Sequence, residues 1–159
     1  MSGVGANLIE GLREALAWKR GELALETVTI HPPVFDLCAL EVLIAGPQGS
    51  SLPHGAPTLT LTAPISFWGG VDPKTSMIAD VRHPQHGEPI AGKILFLPGT
   101  IGSSSASAVL LELIHAGIAP VAIIMHEPDA ILLLGVLVAR EMGWDWPVVL
   151  RMDRAGFPL

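Results

Sequence analysis

Cysteine, tyrosine and basic residues are the scarce components of this 159-residue chain. Its single cysteine, Cys38, excludes an internal disulfide and an iron–sulfur site built from the chain's own thiolates. Nine Lys and Arg against fifteen Asp and Glu give a formal net charge of -6, so we expect no broad nucleic-acid footprint. Aromatic residues make up 5% of a chain that is 50% hydrophobic, so aliphatic side chains must build the core.

An apolar run long enough to cross a membrane is also missing. The strongest candidate, residues 118–138, is interrupted by prolines and by the polar turn at 126–129, which are costly in hydrocarbon. It divides into a predicted strand at 121–125 and a predicted helix at 130–142, with Asp129 as the N-cap. No secretory signal pattern is present, and the scarcity of thiols fits a reducing compartment, so a cytoplasmic location is expected.

The beginning of the chain has a different pattern from the rest. Residues 6–25 carry apolar side chains at helical spacing with charged residues between them, which predicts an amphipathic helix. We therefore expect an N-terminal helical extension over residues 1–36 and one domain over residues 37–159. Strand-like segments are predicted in that domain at 37–45, 59–62, 94–97, 121–125 and 147–150.

Strands and helices alternate in the second half of the domain. A predicted helix at 108–117 lies between two of the strands, and the helix at 130–142 precedes the last one. This alternation predicts an α/β layer with parallel strands. Because the first half is rich in strands and loops, the expected architecture is a small barrel or sandwich layered with helices.

The serine cluster at residues 98–107 is the most informative segment. It places Gly102, Ser103, Ser104 and Ser105 between an apolar strand and the start of a helix. The unpaired N–H groups of a first helical turn, together with the helix dipole, favour an anion there. Two interpretations stay open on the residues alone: serine caps that satisfy those N–H groups, or a small anionic ligand beside a reactive serine.

Five short segments occur in a familiar order and at familiar spacings. They are 66–73 (SFWGGVDP), 82–87 (RHPQHG), 91–94 (AGKI), 102–105 (GSSS) and 127–129 (EPD). Together, over about residues 56–149, they resemble the swivel domain, or small subunit, of the aconitase X family. Each segment alone is weak evidence for this family, but the combination of all five in this order is specific to it. The resemblance implies a swivelling β/β/α domain and a hydro-lyase activity.

The resemblance also implies a partner. In this family a large part binds an iron–sulfur cluster through cysteines, and the swivel part closes the active site. This chain is then expected to bind no cofactor itself and to be inactive without an iron–sulfur large subunit. Family members dehydrate cis-3-hydroxy-L-proline or mevalonate 5-phosphate. The serine-rich form of the 102–105 segment favours the first of these small hydroxy acids as substrate.

The resemblance assigns the proton-accepting serine of the family to Ser103, as general base. Dehydration beside a carboxylate needs such a base and a Lewis acid for the departing hydroxyl, which a cluster iron can supply. A helix N-terminus can stabilise the alkoxide form of a serine. Gly102, Ser104 and Ser105 are candidate substrate contacts from the same segment. Arg82 and His83 are candidates for binding a substrate carboxylate or phosphate.

Several alternatives stay open. Residues 82–87 also fit a plain surface turn, and the His83–His86 spacing suits a metal but lacks a cysteine or acidic cluster to complete the site. Phe67 and Trp68 fit either a packing anchor or the mouth of a site. For the whole chain, the alternatives are the small subunit of a mevalonate 5-phosphate dehydratase and a non-catalytic binding or regulatory module on the same fold.

Overall fold

The computed structural model describes residues 40–158, which form five strands, three α-helices and a short 3₁₀ helix at Arg154–Gly156. In chain order the strands and α-helices are β1 (Leu40–Ile44), β2 (Thr58–Thr60), α1 (Phe67–Gly70), β3 (Ile94–Leu97), α2 (Ala106–His115), β4 (Ala122–Met125), α3 (Ala130–Glu141) and β5 (Val148–Met152). The predicted α/β class is confirmed, and the predicted strands and long helices lie within a few residues of the observed ones. The predicted extension at 1–36 and Cys38 lie outside the described residues.

The five strands form one sheet in the order β1-β5-β4-β3-β2. Strands β2, β3, β4 and β5 are parallel to one another, and β1 runs antiparallel to β5. The sheet has β1 and β2 as its two edges, so the strands build a layered α/β arrangement rather than a closed barrel. Because the carboxyl ends of the four parallel strands meet at one end of the sheet, the segments that follow them share that end.

Apolar residues cover both faces of the sheet. In β3, Leu95 and Leu97 pack on the face covered by α2 and α3, while Ile94 and Phe96 pack on the opposite face beside Phe157. This division follows from the two-residue period of a strand, and it explains why the central strands are continuously hydrophobic. Within residues 40–158, no helix combines the length and the hydropathy that crossing a bilayer would require.

The predicted aromatic turn at 66–73 forms the short helix α1. Its φ and ψ angles leave the helical region at Trp68 and Gly69, and Gly69 has a φ of 76°, which favours glycine. Phe67 is 1% exposed, which favours the packing-anchor alternative for this residue. Trp68 is 61% exposed, so the packing role does not extend to the second aromatic residue.

Ser76 is a strained and unsatisfied residue in the loop that follows α1. It is the one non-glycine residue in the described part of the chain with a positive φ, at 60°. Its side chain is fully buried, and its hydroxyl has no hydrogen-bond partner among residues 40–158. Both features cost free energy, since the left-handed conformation is strained for a residue with a Cβ and a buried orphan hydroxyl has lost its water.

We therefore predict that Ser76→Gly raises the free energy of unfolding by about 1 kcal/mol, after allowing for the greater freedom of glycine in the unfolded chain. Ser76→Ala is the matched variant, because it removes the hydroxyl and keeps the backbone strain. Chemical denaturation of the three proteins measures both contributions. A less stable glycine variant would contradict the prediction.

Candidate active site

The serine cluster lies at the carboxyl end of the parallel sheet. After β3 the chain continues beside the segment that follows β2, because the Ile65 N–H donates to the Gly99 carbonyl (3.4 Å) and the Ile101 N–H donates to the Ile65 carbonyl (3.0 Å). Residues 102–105 then lead directly into α2. The fold thus places the predicted catalytic segment at the end of the sheet where α/β proteins commonly bind ligands.

The N-terminus of α2 is not capped in the usual way. Ser105 is the N-cap residue, but its side chain makes no capping hydrogen bond, and its φ of -88° and ψ of -2° are helical rather than extended. The Ser103 hydroxyl accepts a hydrogen bond from the Ser105 N–H at 3.3 Å. The N–H groups of Ser103 and Ser104 have no acceptor in the described part of the chain. Donors therefore remain available to an anion at this point.

The neighbouring helix α3 has the cap that α2 lacks. One oxygen of Asp129, Oδ1, accepts hydrogen bonds from the N–H groups of Ile131 (2.8 Å) and Leu132 (3.3 Å), which confirms the predicted N-cap. The other oxygen, Oδ2, accepts a hydrogen bond from the Thr100 hydroxyl at 2.7 Å. One carboxylate thus caps α3 and also holds the loop that leads to Ser103. Sequence reasoning missed Thr100, whose only signal was its position between Gly99 and the serines.

We predict that Thr100→Val lowers the free energy of unfolding by about 1.5 kcal/mol, because it removes a hydrogen bond to a charged group and leaves the cap on Oδ1 intact. In a complex assayed for turnover, the same variant should lose about tenfold in kcat, since small displacements of a reactive group are costly. Thr100→Ser keeps a hydroxyl and should restore both properties. Denaturation and steady-state kinetics test this, and a valine variant as stable as the wild type would contradict it.

The second predicted segment, around residues 82–87, is held to the residues that follow β2. His83 is 7% exposed, and its Nε2 lies 3.1 Å from the Ala63 carbonyl oxygen. The Gln85 N–H donates to Nδ1 of the same ring at 3.1 Å, so the ring proton resides on Nε2 and donates to Ala63. Gln85 also exchanges two hydrogen bonds with Thr62, at 3.2 and 2.9 Å. Both ring nitrogens of His83 therefore have backbone partners, and substrate contact by His83 remains a prediction.

Arg82 points outward from this anchored segment. Its side chain is 89% exposed, and its Nε donates to the Asp80 carboxylate at 3.3 Å. The Arg82 backbone N–H also donates to that carboxylate at 2.9 Å. The backbone N–H first, and then the guanidinium, hold the pKa of the Asp80 carboxyl below its usual value. Asp80 is therefore ionised at neutral pH and orients the guanidinium.

A surface cavity of about 490 Å³ contacts Arg82 and reaches the start of the serine segment at Ile101. Asp80, Arg82 and Ile101 are among its lining residues, and Ile101 lies two residues before Ser103. A larger depression of about 590 Å³ lies at the amino ends of β4 and β5 and contacts none of the predicted site residues. Of the predicted site residues, Arg82 lines the smaller cavity, whereas Gly102, Ser103, Ser104, Ser105 and His83 do not. We take this cavity as a neighbour of the candidate site, because Ile101 connects it to the serine segment.

The described residues do not form a metal site. No group of three His, Cys, Asp or Glu side chains within residues 40–158 has the arrangement to hold a metal ion. The His83–His86 spacing considered as a metal motif is part of a hydrogen-bonded turn, in which the His86 N–H donates to the His83 carbonyl at 2.9 Å.

An open sheet with helices packed on it, and a serine-bearing helix N-terminus with two free N–H groups at the strand ends, define a mixed α/β domain with a candidate anion site. A sequence profile of the aconitase X swivel domain matches residues 53–158, and the chain belongs to that family. The solved aconitase X of Thermococcus kodakaraensis, in its holo-form, superposes on the fold with a TM-score of 0.53 at 33% identity. The match covers 62% of this chain and 69% of the solved one.

Two curated relatives carry dehydratase names. Cis-3-hydroxy-L-proline dehydratase of Pseudomonas aeruginosa is 47% identical over 113 residues, which are 70% of this chain and 18% of that protein. The phosphomevalonate dehydratase small subunit of Methanothermobacter thermautotrophicus is 42% identical over 83 residues, or 52% of this chain and 63% of that protein. The chain thus spans less than a fifth of the length of the first relative and under two thirds of the second.

Proposed function

We propose that this chain is the small subunit of a dehydratase that acts on a small hydroxy acid, and that Ser103 is its general base. The observation that carries the proposal is the N-terminus of α2, where Ser105 makes no side-chain cap, the Ser103 hydroxyl accepts the Ser105 N–H, and the N–H groups of Ser103 and Ser104 have no acceptor among residues 40–158. The family membership and the dehydratase names of the relatives support it.

We assign the following catalytic and binding roles to residues of this chain. The Ser103 oxygen accepts the carbon-bound proton of the substrate, and the open N–H groups and the dipole of α2 stabilise its alkoxide form. Gly102, Ser104 and Ser105 contact the substrate from the same segment. Arg82, oriented by Asp80, binds the substrate carboxylate. His83 holds the Arg82 segment against the end of β2 through its two backbone partners.

The departing hydroxyl needs a Lewis acid, and an iron–sulfur cluster in the large subunit would supply one. The residues of this chain do not fit a resident cluster, since the sequence has one cysteine and the described part has no metal-binding group. We therefore assign the cluster to the large subunit, and we propose that the active enzyme is a complex of the two subunits.

Among the candidate substrates we favour cis-3-hydroxy-L-proline over mevalonate 5-phosphate. In the described cavity Arg82 is the one cationic side chain, which matches one carboxylate better than a carboxylate together with a phosphate dianion. The identity to the cis-3-hydroxy-L-proline dehydratase of Pseudomonas aeruginosa, at 47%, also exceeds that to the phosphomevalonate dehydratase small subunit, at 42%.

The test is reconstitution with the iron–sulfur large subunit from the same source, followed by dehydratase assays on both substrates. Turnover of cis-3-hydroxy-L-proline is the expected result. Turnover of mevalonate 5-phosphate alone would keep the subunit assignment and change the substrate. A stable complex that is inactive on both would point to another hydroxy acid, and the absence of any complex would favour a non-catalytic binding module.

A further inference from the structure

The three most exposed large hydrophobic side chains in the described part of the chain lie at one place. They are Val81, 77% exposed, Trp68, 61% exposed, and Ile101, 58% exposed. All three line the cavity of about 490 Å³ that also contains Arg82. We call these three side chains the apolar rim.

The rim is built from three separate segments that the fold fixes firmly. Trp68 follows the buried Phe67, and Ile101 is bonded through its N–H to the Ile65 carbonyl. Val81 is flanked by Asp80 and by a turn in which the His83 N–H donates to the Asp80 carbonyl at 3.0 Å. Scattered single apolar residues are normal on a surface, but convergence of exposed apolar groups around one cavity marks an interaction site.

We propose that the apolar rim is the surface onto which the large subunit closes, an inference that rests on the proposed function. The rim is continuous with the proposed site, because Ile101 lies two residues from Ser103 and Val81 adjoins Arg82. An apolar surface of the partner seated on the rim would exclude water from Arg82. The attraction between the Arg82 guanidinium and a substrate carboxylate would then be stronger, since removal of water lowers the local dielectric constant.

The relatives indicate why the partner is the large subunit. The matched part of the Pseudomonas aeruginosa dehydratase is 18% of that protein, so the greater remainder is available in the same chain to cover this surface. In the Methanothermobacter thermautotrophicus relative, the matching chain is itself named a small subunit. Both names therefore imply a larger part of a dehydratase beside this domain.

A second group of exposed apolar side chains provides the matched control. Leu134 and Met142 lie on the outer side of α3 and just beyond its end, and they are 52% and 55% exposed. We expect Trp68→Ala combined with Val81→Ser to raise the Kd for the large subunit at least tenfold, because a central Trp commonly dominates an interface. Leu134→Ala combined with Met142→Ser should change the Kd by less than twofold.

The binding is measured by calorimetry with the full chain and the purified large subunit from the same source, and thermal unfolding checks that both variants fold as the wild type does. A rim variant that binds as tightly as the wild type would overturn the inference, as would equal weakening by both pairs. A wild-type chain that binds no large subunit would overturn the proposed function as well. If Ser103→Ala kept full turnover, the catalytic assignment alone would fail and the rim would stand.

Discussion

Ser103→Ala is expected to reduce the turnover of the reconstituted complex by about 10²- to 10⁴-fold, the usual contribution of a general base. The physical reason is that alanine cannot accept the substrate proton, while the N–H groups and the dipole of α2 remain in place. Among residues 40–158 the variant loses one long hydrogen bond, from the Ser105 N–H at 3.3 Å, so its folding should change little. Single-turnover kinetics and the Kd for the large subunit separate the loss of chemistry from a loss of assembly.

Ser107→Ala is the matched control for this prediction. It removes a hydroxyl from the same cluster. Among the described residues, the Ser107 hydroxyl makes one hydrogen bond, which it donates to the Ser104 carbonyl at 3.4 Å. We expect the control complex to keep the turnover of the wild type. A Ser103→Ala complex that also turned over normally would exclude Ser103 as the base and favour the non-catalytic module. Equal losses in both variants would indicate a structural role for the whole cluster.

The sheet and the long helices could be predicted because their signals are local. Four consecutive apolar residues in β3 and in β4 read as buried strands, and the structure buries every one of them. Asp129 could be predicted as an N-cap because its carboxylate acts on N–H groups two and three residues further along. These features depend on residues that are close together in the sequence, so the local sequence pattern is enough to predict them.

The contacts that organise the candidate site join residues far apart in the sequence. Thr100 meets Asp129 across 29 positions, and His83 meets Ala63 across 20. Nothing in the local pattern shows that Thr100 would donate to a capping carboxylate, or that the ring of His83 would be buried with both nitrogens bonded. The different burial of Phe67 and Trp68 likewise depends on the neighbouring segments and not on the residue types.

The serine cluster shows how a local preference can mislead. Serine is among the preferred N-cap residues because an extended backbone lets its side chain reach the first free N–H groups. At Ser105 the backbone is already helical, so the hydroxyl does not make that bond. The side-chain bond to a free N–H is made two residues earlier, where the Ser103 hydroxyl accepts from the Ser105 N–H at 3.3 Å.

Gly135→Ala is expected to lower the free energy of unfolding by about 2 kcal/mol, which in a domain of this size lowers Tm by roughly 5–15 °C. Gly135 lies in α3 where that helix touches the first turn of α2. A Cβ built on it would lie 2.5 Å from the backbone carbonyl oxygen of Ser107, so the two helices must separate. The gain of about 1 kcal/mol that alanine brings within a helix offsets only part of this cost.

Gly156→Ala is the control, because a Cβ there meets nothing closer than 3.6 Å and the backbone is not in a glycine-specific conformation. Its free energy of unfolding should stay within about 0.5 kcal/mol of the wild type. The clash at Gly135 acts on Ser107, four residues after Ser103, so displacement of α2 also moves the proposed base. We therefore expect Gly135→Ala to lose turnover at temperatures well below its Tm, whereas a variant that is destabilised but fully active would show that the site tolerates a shift of α2.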